Sequence, residues 1–206
     1  MWSKMLSEKR IVLGVSGGIA AYKSVEISRR LVDAGSFVSP IMTSAAKKFI
    51  GEVTLSALAS EPVKSSLWDD DDPIPHTTLG QQADLILVAP ATAKLIGTYA
   101  AGISSDLLSA TLLATRAPVI LCPAMHTEMW EHPAVQDNIN TLKRRGVVIV
   151  DPEDGILAGG DLGKGRLAGV EAILSEVESI LTKKDLSNLK LLITAGGTRE
   201  PIDPVR

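Results

Sequence analysis

The residues best equipped for chemistry sit where apolar runs break off. In GVSGGIAAYKS (14–24), Ser16, Gly17 and Gly18 separate a strand-like run from a helical one. Glycines admit backbone N–H groups close to an anion, and a helix N-terminus adds partial positive charge, so the chemistry on offer is phosphate binding. The run lacks the full G-x-G-x-x-G spacing and the P-loop Lys-Ser/Thr pair, and a tight βα turn accounts for it equally well. MTSAAKKFI (42–50) repeats the arrangement, with Thr43 and Ser44 at the N-cap position of a following helix, where their hydroxyls complete a phosphate site or simply cap the helix. A third run ends at APATA (89–93) with Thr92. Three such loops at three run ends converge where a nucleotide would lie.

Two histidines and one cysteine complete the reactive set. His76 follows the acidic, proline-containing WDDDDPIP (68–75) and precedes a buried run; its ordinary pKa suits a general base at neutral pH, and an idle loop histidine is the alternative. ILCPAMHTEMWEHP (120–133) gathers Met125, His126, Met129 and Trp130 in one short stretch of a chain that is 3% aromatic. That composition suits either a packed loop or a lid over a flat ring. His132 reads as a surface residue near a helix start. Cys122 ends an apolar run with no activating histidine or lysine beside it, and reads as a small apolar filler. No metal site is expected.

Positioning these loops requires strands that alternate with helices. RIVLGV (10–15), FVSPIMT (37–43), DLILVAP (84–90), APVILCP (117–123) and GVVIVDP (146–152) are apolar without alternation, as strands covered on both faces are. Between them, 20–35 places Val25, Ile27, Leu31 and Val32 near one helical face and ends in Gly35. Residues 105–115 and 133–146 repeat the pattern, the latter with Pro133 at its start and Gly146 past its end. The alternation predicts an α/β fold, a doubly wound, Rossmann-like or flavodoxin-like parallel sheet with helices on both faces, whose ligands lie beyond the carboxyl ends of the strands. The glycine-dense 153–169 is expected to be a mobile flap. A helix is expected from 170.

Composition narrows the class. With 206 residues, 45% hydrophobic, the chain can bury a full-sized core. A net charge of −3 without a basic block argues against nucleic acid as a partner. No run reaches the ~18–20 apolar residues that cross a bilayer, so no membrane partner is expected. A lone cysteine and no N-terminal apolar segment fit a cytoplasmic location.

Taken together, SGGIAAYK (16–23), His76 followed eight positions later by Asp84, APATA (89–93) and PAMHTEMW (123–130) resemble the flavin-dependent cysteine decarboxylases, and within them the phosphopantothenoylcysteine decarboxylases. The resemblance covers about residues 9–182, so 1–182 is expected to be one decarboxylase domain. LLITAGGTREPIDPVR (191–206) looks like the opening of a phosphopantothenate–cysteine ligase domain, so 183–206 is expected to be a linker and the first strand and loop of a second domain cut short at Arg206. What the resemblance implies is FMN-dependent decarboxylation of 4'-phospho-N-pantothenoylcysteine to 4'-phosphopantetheine in coenzyme A biosynthesis, through a thioaldehyde and an enethiol. It implies a homo-oligomer built from trimers, up to a dodecamer, with FMN between subunits. Carried over by position, Ser16, Gly17, Gly18, Ile19, Thr43, Ser44, Thr92, Ala93 and Met125 would contact the cofactor. His76 would be the catalytic base, His126 would hold the substrate carboxylate, and Met129 would pack on the substrate.

Three positions depart from the family's pattern. His126 stands where asparagine is usual, Lys94 and Leu95 where many members have Asn-Thr, and Gly159 where many decarboxylases place a cysteine proton donor. Relatives that stop at the enethiol also lack that cysteine, which keeps open an oxidative decarboxylase of peptide C-terminal cysteines. A non-catalytic flavin-binding regulatory subunit is the third reading.

Overall fold

The computed structural model describes residues 6–68 and 72–182, with 190, 192–194 and 196 beyond them. Five strands, β1 (Arg10–Val15), β2 (Phe37–Met42), β3 (Leu85–Ala91), β4 (Val119–Pro123) and β5 (Val148–Ile149), form one sheet in the order β2-β1-β3-β4-β5, every pairing parallel. This is the flavodoxin-like order, which reverses direction between β1 and β3 and opens a crevice at their carboxyl ends.

Every residue of β3 and β4 is buried, which is why neither run alternates in sequence. Side chains on the two faces feed two cores. Leu13, Val15, Leu87 and Cys122 meet Ile27 and Leu31 of α1 (Lys23–Asp33) and Leu174 and Val177 of α8 (Val170–Leu181). Val12, Ile86, Val88 and Leu121 meet Leu108 and Leu112 of α5 (Leu107–Ala114), Ile96 of α4 (Ala93–Ala100) and Leu142 of α7 (Pro133–Arg144). Gly14 lets α5 lie directly on β1, since a Cβ there would stand 2.6 Å from a Leu108 methyl.

The helix ends follow the sequence signals. At Gly35 (φ +87°) the glycine N–H donates to the Val32 carbonyl and Ser36 N–H to that of Leu31, and Gly146 (φ +88°) repeats the arrangement with Lys143 and Leu142. Expected bounds shift by one to three residues elsewhere, but the fifth strand shrinks to Val148–Ile149.

Two stretches carry elements that the sequence did not mark. Residues 75–82 form α3 (Pro75–Gln82), started by Pro75 and packed so closely on α5 that a Cβ at Gly80 would come within 3.1 Å of the Thr111 carbonyl. The expected flap 153–169 is a hairpin of β6 (Glu153–Ile156) and β7 (Leu162–Arg166), antiparallel to each other. Its base is closed by Gly169 N–H donating to the Glu153 carboxylate at 2.7 Å. Two further helices, α2 (Glu52–Leu58) and α6 (Thr127–Glu131), were not marked by any clear period. No helix among the described residues is long and apolar enough to cross a membrane. The expected second-domain segment, 183–206, lies almost wholly outside the described residues.

Candidate active site

Beyond the carboxyl ends of β1, β2 and β3 lies a cleft of about 570 Å³, within the range of small-molecule sites. Its floor is the three loops picked out in the sequence. Ser16, Gly17, Gly18 and Ile19 come from the first, Thr43 and Ser44 from the second, Thr92 and Ala93 from the third. Met125, His126 and Met129, from the segment after β4, form one wall, and the β6–β7 hairpin forms the roof through Ile156, Leu157 and Arg166.

The floor is tied together from within. The Ser16 hydroxyl, 2% exposed, donates to the Pro90 carbonyl at 2.8 Å and accepts from Thr92 N–H at 2.9 Å, so it holds the first loop to the third. Gly17 joins the first loop to the second, since a Cβ there would fall 2.3 Å from Ala45 Cβ. Gly18, with φ −159°, is extended and open toward the cleft, its nearest neighbour for a Cβ being Thr92 Cγ2 at 3.7 Å. The Thr43 hydroxyl accepts from Ala46 N–H at 3.2 Å, and a short 3₁₀ turn, Ala46–Lys48, follows in place of the expected helix. Thr92 caps α4, accepting from Leu95 N–H. The floor presents small residues, hydroxyls and helix starts, the donor set that suits a phosphate. Ile19, Met125 and Leu167 add apolar surface suited to a flat ring.

Lys23 reaches into the cleft and donates to the Leu167 carbonyl at 3.2 Å; burial lowers its pKa, and the charge of Arg166 adds to the effect. His126 is bracketed by carboxylates. Its Nδ1 pairs with Glu128 Oε2, and its Nε2 lies 3.1 Å from Asp161 Oδ2 at the hairpin turn. The hydrogen bond to Glu128, then that to Asp161, raise the imidazole pKa above its usual value. Met125 N–H donates to the Gly165 carbonyl at 3.0 Å, fixing the hairpin to the wall.

Of the expected site residues, His76 alone is absent from the cleft lining. It stands at the first turn of α3, with its Nδ1 buried and without a hydrogen-bond partner. Cys122 is fully buried, and burial pushes its thiol pKa far up, as befits a filler. His132 is exposed and caps α7, accepting from Ala134 N–H at 3.2 Å. Sequence reasoning missed Lys23, Arg166 and the two carboxylates on His126. Lys23 lay inside a motif already singled out, whereas Asp161, 35 positions from His126, gave no local signal.

A model of the Flavoprotein family matches residues 2–182. The chain belongs to that family. Its Flavoprotein relatives include the coenzyme A biosynthesis bifunctional protein CoaBC of Mycobacterium bovis, 52% identical over 203 residues, 96% of this chain and 49% of the relative. CoaBC of Escherichia coli K12 is 48% identical over 204 residues, 98% of this chain and 50% of the relative. The chain thus spans about half the length of the curated relatives it matches. Among solved structures, a cysteine-to-serine mutant of PPC decarboxylase complexed with pantothenoylaminoethenethiol is 27% identical with a TM-score of 0.75, covering 84% of this chain and 97% of that one. The FMN-dependent cysteine decarboxylase SpaF is 29% identical with a TM-score of 0.75, covering 85% and 97%. The resemblance read from the motifs is borne out, and so is the fold class.

Proposed function

We propose that this chain is the decarboxylase that converts 4'-phospho-N-pantothenoylcysteine to 4'-phosphopantetheine in coenzyme A biosynthesis, with FMN as its flavin. The observation that carries the reading is the cleft itself: three phosphate-suited loops and an apolar wall at the switch point of a chain about half identical to CoaBC. The neighbour bound to pantothenoylaminoethenethiol, an enethiol of the expected kind, supports the substrate.

Bound FMN would supply a reversible two-electron exchange with the substrate cysteine, turning the neighbouring carboxylate into a leaving group. Ser16, Gly17, Gly18, Ile19, Thr43, Ser44, Thr92 and Ala93 would hold it through the floor, and Met125 would pack against its ring. His126 would meet the substrate carboxylate, since a protonated imidazole donates from both nitrogens. Met129, half exposed at the cleft wall, would lie on the substrate chain.

His76 is the proposed base, supplied to the cleft by a neighbouring copy in a trimer-based assembly, up to a dodecamer. Its place outside its own chain's cleft and its unpartnered Nδ1 support this arrangement. Residues 183–206 would open a ligase domain, in keeping with relatives about twice as long. The metabolic role of those relatives supports a cytoplasmic location.

The test begins with the absorption spectrum of the purified protein, followed by anaerobic incubation with phosphopantothenoylcysteine and mass analysis. Yellow protein and a product two hydrogens heavier than the enethiol are expected. A colourless protein that takes up no added FMN would refute the proposal. His76→Ala should keep the flavin and lose carbon dioxide release. Gly159, in place of a cysteine, favours a second reading, oxidative decarboxylation of a peptide C-terminal cysteine, whose product is the enethiol.

A further inference from the structure

The decarboxylase reading leaves one step without a residue. Turning the enethiol back into a saturated thiol requires a proton at the carbon that lost carbon dioxide. The chain has one cysteine, and Cys122 is wholly buried in β4. No thiol reaches the cleft.

The ionisable groups that do line it, among the described residues, are Tyr22, Lys23, Lys94, Asp106, His126 and Arg166. Asp106 is engaged at the start of α5, accepting from Ser109 N–H and Oγ–H, each at 2.8 Å. Arginine does not release a proton in proteins, tyrosine and lysine ordinarily hold theirs to about pH 10, and Lys23, whose pKa burial lowers, is engaged with the Leu167 carbonyl at 3.2 Å. An imidazolium is the acid in this set matched to neutral pH.

The geometry around His126 is that of a held acid. Glu128 takes the Nδ1 side of the ring, leaving Nε2 toward the hairpin, where Asp161 Oδ2 lies 3.1 Å away. A Cβ built on Gly159 would lie 3.7 Å from Nε2 and 2.9 Å from Asp161 Oδ2. The imidazole and its carboxylate therefore occupy the space that a side chain at 159 would enter. Both carboxylates favour the charged ring, the Glu128 hydrogen bond more strongly. Two cations stand on the adjoining strand: Lys164, whose Nζ lies 5.9 Å from the Trp130 ring centre, and Arg166 in the cleft lining.

We propose that His126 is the general acid of the reductive half-reaction, its Nε2 proton passing to the carbon from which carbon dioxide left, with Glu128 and Asp161 as positioning residues. The assignment rests on the decarboxylase reading. The C=C electron pair of the enethiolate forms the new C–H bond, and the sulfur-bearing carbon becomes a thioaldehyde. Bound flavin, reduced in the first half, would supply the hydride that turns this carbon into that of the saturated thiolate. The imidazole, now neutral, regains its proton from solvent. Asp161 holds the Nε2 proton until the substrate takes its place, first through its carboxylate and then, once carbon dioxide has left, as the enethiolate.

His126→Asn separates this role from carboxylate binding, because an amide still donates a hydrogen bond but has no proton to transfer. Under anaerobic conditions the variant should release carbon dioxide once per flavin, accumulate the enethiol and leave the flavin bleached. Formation of the heavier product should fall about 10²–10⁴-fold, the usual worth of a general acid. Retention of yellow FMN before substrate is added shows that the variant is folded. Adding Gly159→Cys to it places a thiol in the same space and should restore the heavier product. In the protein without substrate, NMR titration of the His126 ring should move to lower pH in Asp161→Asn, and the reductive rate should lose its alkaline limb at correspondingly lower pH. Heavier product from His126→Asn at the wild-type rate, or a ring titration unmoved in Asp161→Asn, would overturn the assignment. Wild type that releases no carbon dioxide would remove the decarboxylase reading, and the assignment with it.

Discussion

Gly17→Ala tests whether the cleft floor is a single packed unit. The new methyl would stand 2.3 Å from Ala45 Cβ, 2.7 Å from Ala45 C and 3.0 Å from Ala45 Cα. Carbon atoms rest about 3.5–4.0 Å apart, so the loops after β1 and β2 must part by about 1–1.5 Å. Because the obstacle is largely backbone, the strain belongs at the upper part of the overpacking range, about 2–3 kcal/mol. In a chain of this size that lowers the melting temperature by about 4–12 °C. On the proposed function the floor would donate to the FMN phosphate, and loss of two such hydrogen bonds, at about 1 kcal/mol each, would weaken FMN binding about thirtyfold. Thermal unfolding of the flavin-free protein and titration by quenching of flavin fluorescence measure the two effects separately. Gly18→Ala is the control, since its methyl would meet nothing nearer than Thr92 Cγ2 at 3.7 Å and its φ of −159° is open to any residue. It should change folding stability by less than about 0.5 kcal/mol. Equal melting of Gly17→Ala and wild type, or equal shifts in the two variants, would refute the reasoning.

Ser16→Ala should destabilise the fold by about 1–3 kcal/mol in urea unfolding, because it leaves the Pro90 carbonyl and the Thr92 N–H without their shared partner. Cys122 should resist alkylation in the native protein and react fully once unfolded; native labelling at the rate of a free thiol would contradict its burial. The contact between His126 and the hairpin should depend on pH. The folded imidazole pKa is raised above the unfolded value of about 6.5, so the contribution is full below that value and is lost as pH rises through the folded one. NMR signals of the 157–161 turn should follow the same titration, and signals that stay fixed would show that the ring does not hold the hairpin.

The parallel sheet was legible because its strands are covered on both faces, which makes runs such as 85–91 apolar without alternation. Helix ends at Gly35 and Gly146 were legible because a left-handed residue after a helix selects glycine. α3 was not. Two threonines, two glutamines and Gly80 leave no apolar stripe, and the helix owes its place to close packing on α5. Nor was the hairpin, since LGKGR carries no strand pattern and its glycines serve close approach: a Cβ at Gly163 would meet Thr127 Oγ1 at 2.3 Å, and one at Gly165 the Met125 carbonyl at 2.1 Å. The cleft floor could be read because each loop follows a recognisable run. The bracketing of His126 could not, because it joins side chains from separate elements, and the distance of His76 from its own cleft depends on tertiary placement alone.

The floor hangs from strands buried on both faces, whereas the roof is one ribbon that leaves and rejoins the body at a single point, where Gly169 N–H meets Glu153. Such a ribbon is an interchangeable cassette. Apart from Gly163 and Gly165, which seat it against Thr127 and Met125, its residues can change without touching the loops beneath, so what the roof presents to a ligand can vary while the floor stays intact.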